Sequence, residues 1–220
     1  MLRHQKETFH VNECNYTLNF AVDYPDDFSP DKEYPVIFYF HGMGGVFQGV
    51  DYITEVCPVR RERIPDDIPG GLAPIIVVPS CDDYMWFENF QNVVAFIRSI
   101  MQRDYVDPAR IYLSGSSMGG YTCWMLSILH PELFAAAAIC CGAGTYWAAS
   151  RIDFPVRAYH GTLDETVYPR ESEVMVEWIN RAGGNAELFL LDGVYHDAWN
   201  HAYTNPDTYR WLLAQRRGNK

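Results

Sequence analysis

Short runs of unbroken apolar residues alternate along the chain with stretches in which apolar positions recur every three or four residues. Pro35-Val36-Ile37-Phe38-Tyr39-Phe40 and Ile75-Ile76-Val77-Val78-Pro79 are of the first kind. Ile111-Tyr112-Leu113, Ala135 to Cys141, Val156 to His160 and Ala186 to Leu191 complete the set. Runs of this length and composition predict strands covered on both faces. Tyr16 to Tyr24 alternates instead, which predicts a half-buried edge strand, and Pro25 to Asp31 is a turn-rich connection. Phe90, Val93, Val94, Ile97, Ile100 and Met101 follow the helical period, as do Met175, Trp178, Ile179 and Ala182 before the cap Gly183-Gly184.

Strands alternating with helices imply crossover connections, so the predicted fold class is α/β: a doubly wound, mostly parallel sheet with helices on both faces. At 220 residues the chain is most economically one domain, residues 1–220, with a core that needs no disulfide. Only residues 142–155 separate the fourth run from the fifth, too few for a cap domain, so any site is expected to be open or covered by short loops.

Ligands of an open α/β sheet bind beyond the carboxyl ends of its strands, and four such places here carry useful chemistry. Gly115-Ser116-Ser117-Met118-Gly119-Gly120 joins a strand to a helix and fits Gly-x-Ser-x-Gly, a nucleophile elbow. The residues two positions either side of the serine must be small; Gly115 and Gly119 satisfy this for Ser117, whereas Ser114 and Met118 do not for Ser116. By composition alone such a pattern arises in roughly one chain of this length in ten, so the other strand ends decide. His160-Gly161-Thr162-Leu163-Asp164 and Asp192-Gly193-Val194-Tyr195-His196 place an acid and a base there, in the chain order serine, aspartate, histidine.

A serine hydroxyl attacks well only when an imidazole takes its proton, and a carboxylate must hold that imidazole in the right tautomer. Ser117, Asp164 and His196 are the candidates. Glu165 and Asp153 are weaker acids for the role because they lack the strand-end place, and Asp192 and Asp197 lie too close in sequence to His196. His201 is the rival base, while His41 and His160, each before a glycine at a strand end, suit structural hydrogen bonds. In His41-Gly42-Met43-Gly44-Gly45, Gly42 and Gly44 let substrate approach the backbone, and the N–H groups of Met43 and Met118 are assigned to an oxyanion hole, each worth roughly a hundred- to a thousandfold in rate. A phosphate loop is disfavoured because no Gly-Lys-Ser/Thr follows.

These four ordered motifs, with His196-Asp197-Ala198-Trp199, resemble the α/β-hydrolase superfamily over about residues 16 to 215. Within it the chain is similar to compact, lidless carboxylesterases related to feruloyl and acetyl esterases, polyhydroxybutyrate depolymerases and prolyl-oligopeptidase-like hydrolases. The resemblance implies Ser117, Asp164 and His196 as the triad and an acyl-enzyme on Ser117, with Ser116 where many relatives carry a larger polar side chain. Trp86 and Trp147, in loops after strands, are expected to wall the substrate pocket, and Asp82-Asp83 reads as a solvated loop.

Net charge of −11 argues against nucleic acid as a partner. No window is apolar enough to span a membrane, and the polar residues Met1 to Glu7 hold no signal peptide, which points to a cytoplasmic protein. Cys14, Cys57, Cys81, Cys123, Cys140 and Cys141 show no C-x-x-C spacing and read as reduced, inert thiols, with no metal and no cofactor expected. The partner expected is a small soluble ester, an acylated carbohydrate or a phenolic ester; a peptidase, a thioesterase and a non-catalytic binding protein are the alternatives.

Overall fold

The computed structural model describes residues 4–11 and 15–218. Eight strands form one sheet: β1 (His4–Val11), β2 (Tyr16–Asp23), β3 (Tyr34–Phe40), β4 (Ile75–Pro79), β5 (Val106–Ser116), β6 (Ala136–Cys140), β7 (Val156–Gly161) and β8 (Ala186–Leu191). Their order is β1-β2-β4-β3-β5-β6-β7-β8; β2 runs antiparallel to both of its neighbours, and β3 to β8 are parallel. This is the expected mostly parallel, doubly wound arrangement.

Six α-helices cover the sheet: α1 (Gly49–Val56), α2 (Phe90–Met101), α3 (Met118–Leu129), α4 (Arg170–Arg181), α5 (Ala198–Ala202) and α6 (Pro206–Ala214). The continuous apolar runs have a direct cause, because alternate residues serve opposite faces. Val36, Phe38 and Phe40 enter the core beneath α2, α3 and α4, with Phe96, Trp124 and Met175. Ile37 and Tyr39 enter the second core, with Ile53 of α1, Ala198 of α5 and Leu212 of α6. All seven residues of β3 are buried, and a fully buried large apolar side chain is worth about 1.5–3 kcal/mol. The strand beside the elbow strand is thereby held from both sides.

Three expectations change. Tyr16 to Tyr24 is not an edge strand; β1, polar along its length, pairs with β2 over His4 to Val11 and takes the edge. Backbone pairing places β1, so hydrophobic periodicity does not announce it. The run Ala186 to Leu191 is not covered on both faces either: β8 is the opposite edge, and Phe189 and Leu190 are exposed. Finally, α1, α5 and α6 join the three predicted helices, including the one that follows the elbow. The start of α6 was readable, since Asn205 accepts the Asp207 N–H at 3.0 Å just ahead of Pro206 in the first turn.

The predicted helices are otherwise as expected. At the end of α4, Gly183 adopts φ +84°, and the N–H groups of Gly183 and Gly184 return to the carbonyls of Asn180 and Ile179. Between β6 and β7 the chain makes only a short 3-10 stretch, Tyr146–Arg151, so no cap is inserted there. Cys57, Cys81, Cys123, Cys140 and Cys141 are buried free thiols; Cys14 lies outside the described residues. Among the described residues no helix is long and apolar enough to cross a membrane.

Candidate active site

The central strand β5 ends in the elbow. Ser117 has φ +55° and ψ −119°, a conformation costly for a residue with a Cβ. Neighbouring glycines enforce it. A Cβ on Gly115 would lie 2.6 Å from the Gly119 carbonyl oxygen and 2.8 Å from Cys123 Sγ, and one on Gly119 would overlap the Phe40 carbonyl at the end of β3. A Cβ on Gly120 would sit 2.7 Å from the Cys140 carbonyl oxygen. The Ser117 N–H donates to that same Cys140 carbonyl at 3.0 Å, tying the turn to β6. Ser116, just before it, is buried, and its hydroxyl lies 2.7 Å from Tyr39 Oη, which fills the space beneath the elbow.

The loops after β7 and β8 bring the other two candidates to this serine. Ser117 Oγ lies 2.8 Å from His196 Nε2, and His196 Nδ1 lies 2.6 Å from Asp164 Oδ2. Since the carboxylate accepts, Nδ1 carries the proton and Nε2 is left to accept from the serine. Asp164 Oδ1 accepts the N–H groups of Thr166 at 2.9 Å and Val167 at 3.0 Å. Burial alone would raise the Asp164 pKa; the hydrogen bonds from His196 and from these two N–H groups prevail and hold it below the ordinary carboxylate value. The acid therefore stays ionised where its histidine needs a counter-charge.

The rivals lie elsewhere. His201 is exposed on α5, Asp153 pairs with Arg217 at 3.1 Å, and Glu165 points to solvent. His41 and His160 are the structural histidines their places suggested. His41 Nε2 accepts the Cys81 N–H at 3.1 Å, so its Nδ1–H donates to the Gly42 carbonyl at 2.8 Å. Burial lowers its pKa and keeps it neutral. Pinning the Gly42 carbonyl also fixes the N–H of Met43, which belongs to the same peptide and points the opposite way. Met43 opens a 3-10 turn and Met118 opens α3, positions whose N–H groups have no acceptor within their own helix. A Cβ on Gly42 would stand 3.2 Å from Ser117 Cβ, so glycine brings this loop against the nucleophile; at Gly44 a Cβ would meet nothing within 4 Å.

A cleft of about 380 Å³ opens beside Ser117. Gly42 to Gly45 form one side, Tyr52 and Val56 of α1 another, and Thr166, His196 and Trp199 of α5 the third. Trp86 does not line it: the side chain is buried, donates Nε1–H to the His41 carbonyl at 3.0 Å and packs edge-on to Phe40. It braces the glycine loop from behind. Trp147 does not line it either; it stands 67 % exposed with its ring edge-on to Tyr146. The aromatic side chains that line it are Tyr39, Tyr52 and Trp199, beside the imidazoles of His41 and His196. The signal for Trp199 was its place three residues after His196, which lets the two rings meet edge-on with centroids 5.6 Å apart; Tyr52 lies in a helix that the sequence pattern did not announce. Asp82 accepts from Ser80 at 3.2 Å and from Asn19 of β2 at 3.4 Å, and Asp83 accepts from Asn89 at 2.7 Å, so this acidic pair is already engaged.

Cys141, His160 and Asp164 bring a thiol, an imidazole nitrogen and a carboxylate oxygen within 4.8 Å of one another, donor types that suit zinc. Each has another task. Asp164 holds His196, the His160 Nε2–H faces the Val167 carbonyl at 2.8 Å, and burial pushes the Cys141 thiol up to about 12, which keeps it protonated.

The prolyl oligopeptidase family model matches residues 87–153, a segment that holds the elbow and stops short of Asp164 and His196. A comparison with curated proteins returns no match. Among solved structures the chain is similar to a thermostable esterase, with a TM-score of 0.81 and 24 % identity over 98 % of this chain and 64 % of that one. It is also similar to dipeptidyl peptidase 4 of Porphyromonas gingivalis, at 0.75 and 16 % over 96 % and 35 %. A third is the acylaminoacyl peptidase of Pyrococcus horikoshii, at 0.71 and 14 % over 97 % and 42 %. The chain thus spans less than two thirds of the length of these proteins. The likeness to these structures is one of fold: an eight-stranded, mostly parallel sheet of the α/β-hydrolase kind.

Proposed function

We propose that this protein is a serine hydrolase that cleaves carboxylic esters through an acyl-enzyme on Ser117. The observation that carries the reading is the unbroken chain Ser117 Oγ to His196 Nε2 at 2.8 Å and His196 Nδ1 to Asp164 Oδ2 at 2.6 Å. Ser117 Oγ adds to the ester carbonyl carbon while its proton passes to His196 Nε2. The carbonyl oxygen becomes an oxyanion that accepts from the N–H groups of Met43 and Met118. The carbon–oxygen bond to the alcohol then breaks, and His196 gives its proton to the departing oxygen. Water repeats the sequence on the acyl-enzyme, His196 taking its proton, and a carboxylic acid leaves with Ser117 restored.

The cleft supports one substrate class. Its lining is aromatic and aliphatic apart from Met43, the imidazoles of His41 and His196, and hydroxyl or backbone groups, and none of the described residues that line it carries a carboxylate for a free ammonium. This supports a neutral, soluble ester with a compact apolar or aryl group, a phenolic ester or an acylated carbohydrate, handled by a single domain of residues 1–220. The five described thiols, buried and reduced, support a cytoplasmic location. A peptidase is the second reading, favoured by the prolyl oligopeptidase match over residues 87–153.

Purified protein should hydrolyse nitrophenyl acetate and be labelled by a fluorophosphonate, and Ser117→Ala should lose both. Wild-type protein that does neither refutes the hydrolase. Faster cleavage of aminoacyl amides than of the matching esters and thioesters hands the site to the peptidase reading.

A further inference from the structure

Asp164 Oδ2 serves two imidazoles. His196 Nδ1 lies 2.6 Å away, and His160 Nε2 approaches the same oxygen at 3.2 Å from within the core. His160 is fully buried, and its protonation is set by its neighbours. Nε2 lies 2.8 Å from the Val167 carbonyl oxygen, which can only accept, so Nε2 bears the hydrogen and donates it to that carbonyl, with Asp164 Oδ2 at 3.2 Å as a second, longer contact. Nδ1 must then accept, and the hydroxyl of Ser172, 2.7 Å away in α4, donates to it. Ser172 is buried as well. The groups that face His160 are Asp164 and Cys141, with His196 beyond the carboxylate. Burial lowers the His160 pKa, so the ring remains neutral beside an ionised acid.

We infer that Ser172 and His160 extend the triad inward, as positioning residues in one hydrogen-bond chain: Ser172, His160, Asp164, His196, Ser117. Their task is geometric. Asp164 Oδ1 is held by the N–H groups of Thr166 and Val167. Those bonds and the bond from His196 hold the carboxylate from the side of the site, and the approach of His160 Nε2 to Oδ2 supports it from the core. The same imidazole holds the Val167 carbonyl, closing the turn whose Val167 N–H grips Oδ1. The Ser172 hydroxyl ties the assembly to α4 and selects the tautomer that has a hydrogen to offer. An outer partner that orients a working histidine's own partner is the logic by which buried groups tune metal-bound histidines, here applied to a carboxylate. A catalytic constellation loses rate steeply when its geometry loosens.

The inference rests on the hydrolase reading, and the test separates the two. In His160→Ala, kcat for nitrophenyl acetate should fall about ten- to a hundredfold, the equivalent of one hydrogen bond to a charged group, with KM changed less than about twofold. His160→Gln restores a donor and should recover most of the rate. Ser172→Ala, the milder change, should cost about threefold and keeps the test alive if His160→Ala does not fold. The second readout needs no turnover: the short bond between His196 and Asp164 should give a far-downfield proton NMR signal, displaced in His160→Ala or Ser172→Ala and restored in His160→Gln. Folded variants with wild-type kcat and an unmoved signal overturn the proposal. Equal rates for His160→Ala and His160→Gln overturn it too, because loss of packing alone would explain them. If the wild type hydrolyses nothing, the hydrolase reading fails while the NMR comparison still decides this one.

Discussion

Gly119 has no room for one more carbon. Its Cα faces the Phe40 carbonyl so closely that a methyl group would overlap a backbone atom of β3, which cannot turn aside as a side chain can. Gly119→Ala should therefore cost at least about 3 kcal/mol and remove fluorophosphonate labelling, both readable from urea melts and probe incorporation on one sample. Wild-type stability in that variant would mean that the elbow is wider than described. The same steric test, applied to letters alone, already chose Ser117 over Ser116. Trp86 was beyond such a test. Its role depends on an indole N–H reaching the His41 carbonyl, 45 positions away in sequence, and nothing in its immediate neighbours distinguishes a pocket wall from a brace.

At the scale of elements, the inner strands were the easiest to see because both of their faces are buried. β3, β4 and β6 are buried at every position. The helix that shapes the cleft was the hardest. α1 buries a single residue, Ile53, and its eight positions are too few for a repeat to stand out against the flanking loops. Yet α1 presents Tyr52 and Val56 to the cleft opposite Trp199. The cleft is thus lined in part by a short helix with one buried residue, while the candidate catalytic residues follow strand ends. Tyr52→Ala should raise KM for aryl and longer acyl esters by about tenfold, the worth of a partly buried aromatic contact, and should raise it less for acetate esters. An equal rise across the ester series would remove Tyr52 from the specificity surface.

Across the whole molecule, four buried ionisable groups respond to acid in the same sense. His41 and His160 have pKa values lowered first by burial, so the folded protein resists protons that the unfolded chain binds below about pH 6.5. Asp107 and Asp164 are depressed although burial works to raise them. Bonds from Arg110, the Ala109 N–H and Arg216 prevail at Asp107, as those from His196, Val167 and Thr166 do at Asp164. For depressed carboxylates, stability is present above the ordinary value near pH 4 and is lost as pH falls through the lower folded value. Both pairs make the unfolded state bind more protons, so stability should fall in two stages, beginning near pH 6.5 and steepening below pH 4. Urea midpoints measured from pH 8 to pH 3 check this; a midpoint that stays level down to pH 5 contradicts the neutral assignment of the two histidines.

The elbow strand lies between β3 and β6, and its serine meets a histidine 79 positions further along the chain. No local segment can build that meeting, because the pairings that create it join remote parts of the sequence and each must first close a long loop. During refolding, helices should gain their spectroscopic signal early, whereas Ser117 should stay inert until the last strands have docked. Covalent capture of this one hydroxyl therefore acts as a clock for completion of the entire sheet, separating finished molecules from collapsed ones of similar helix content.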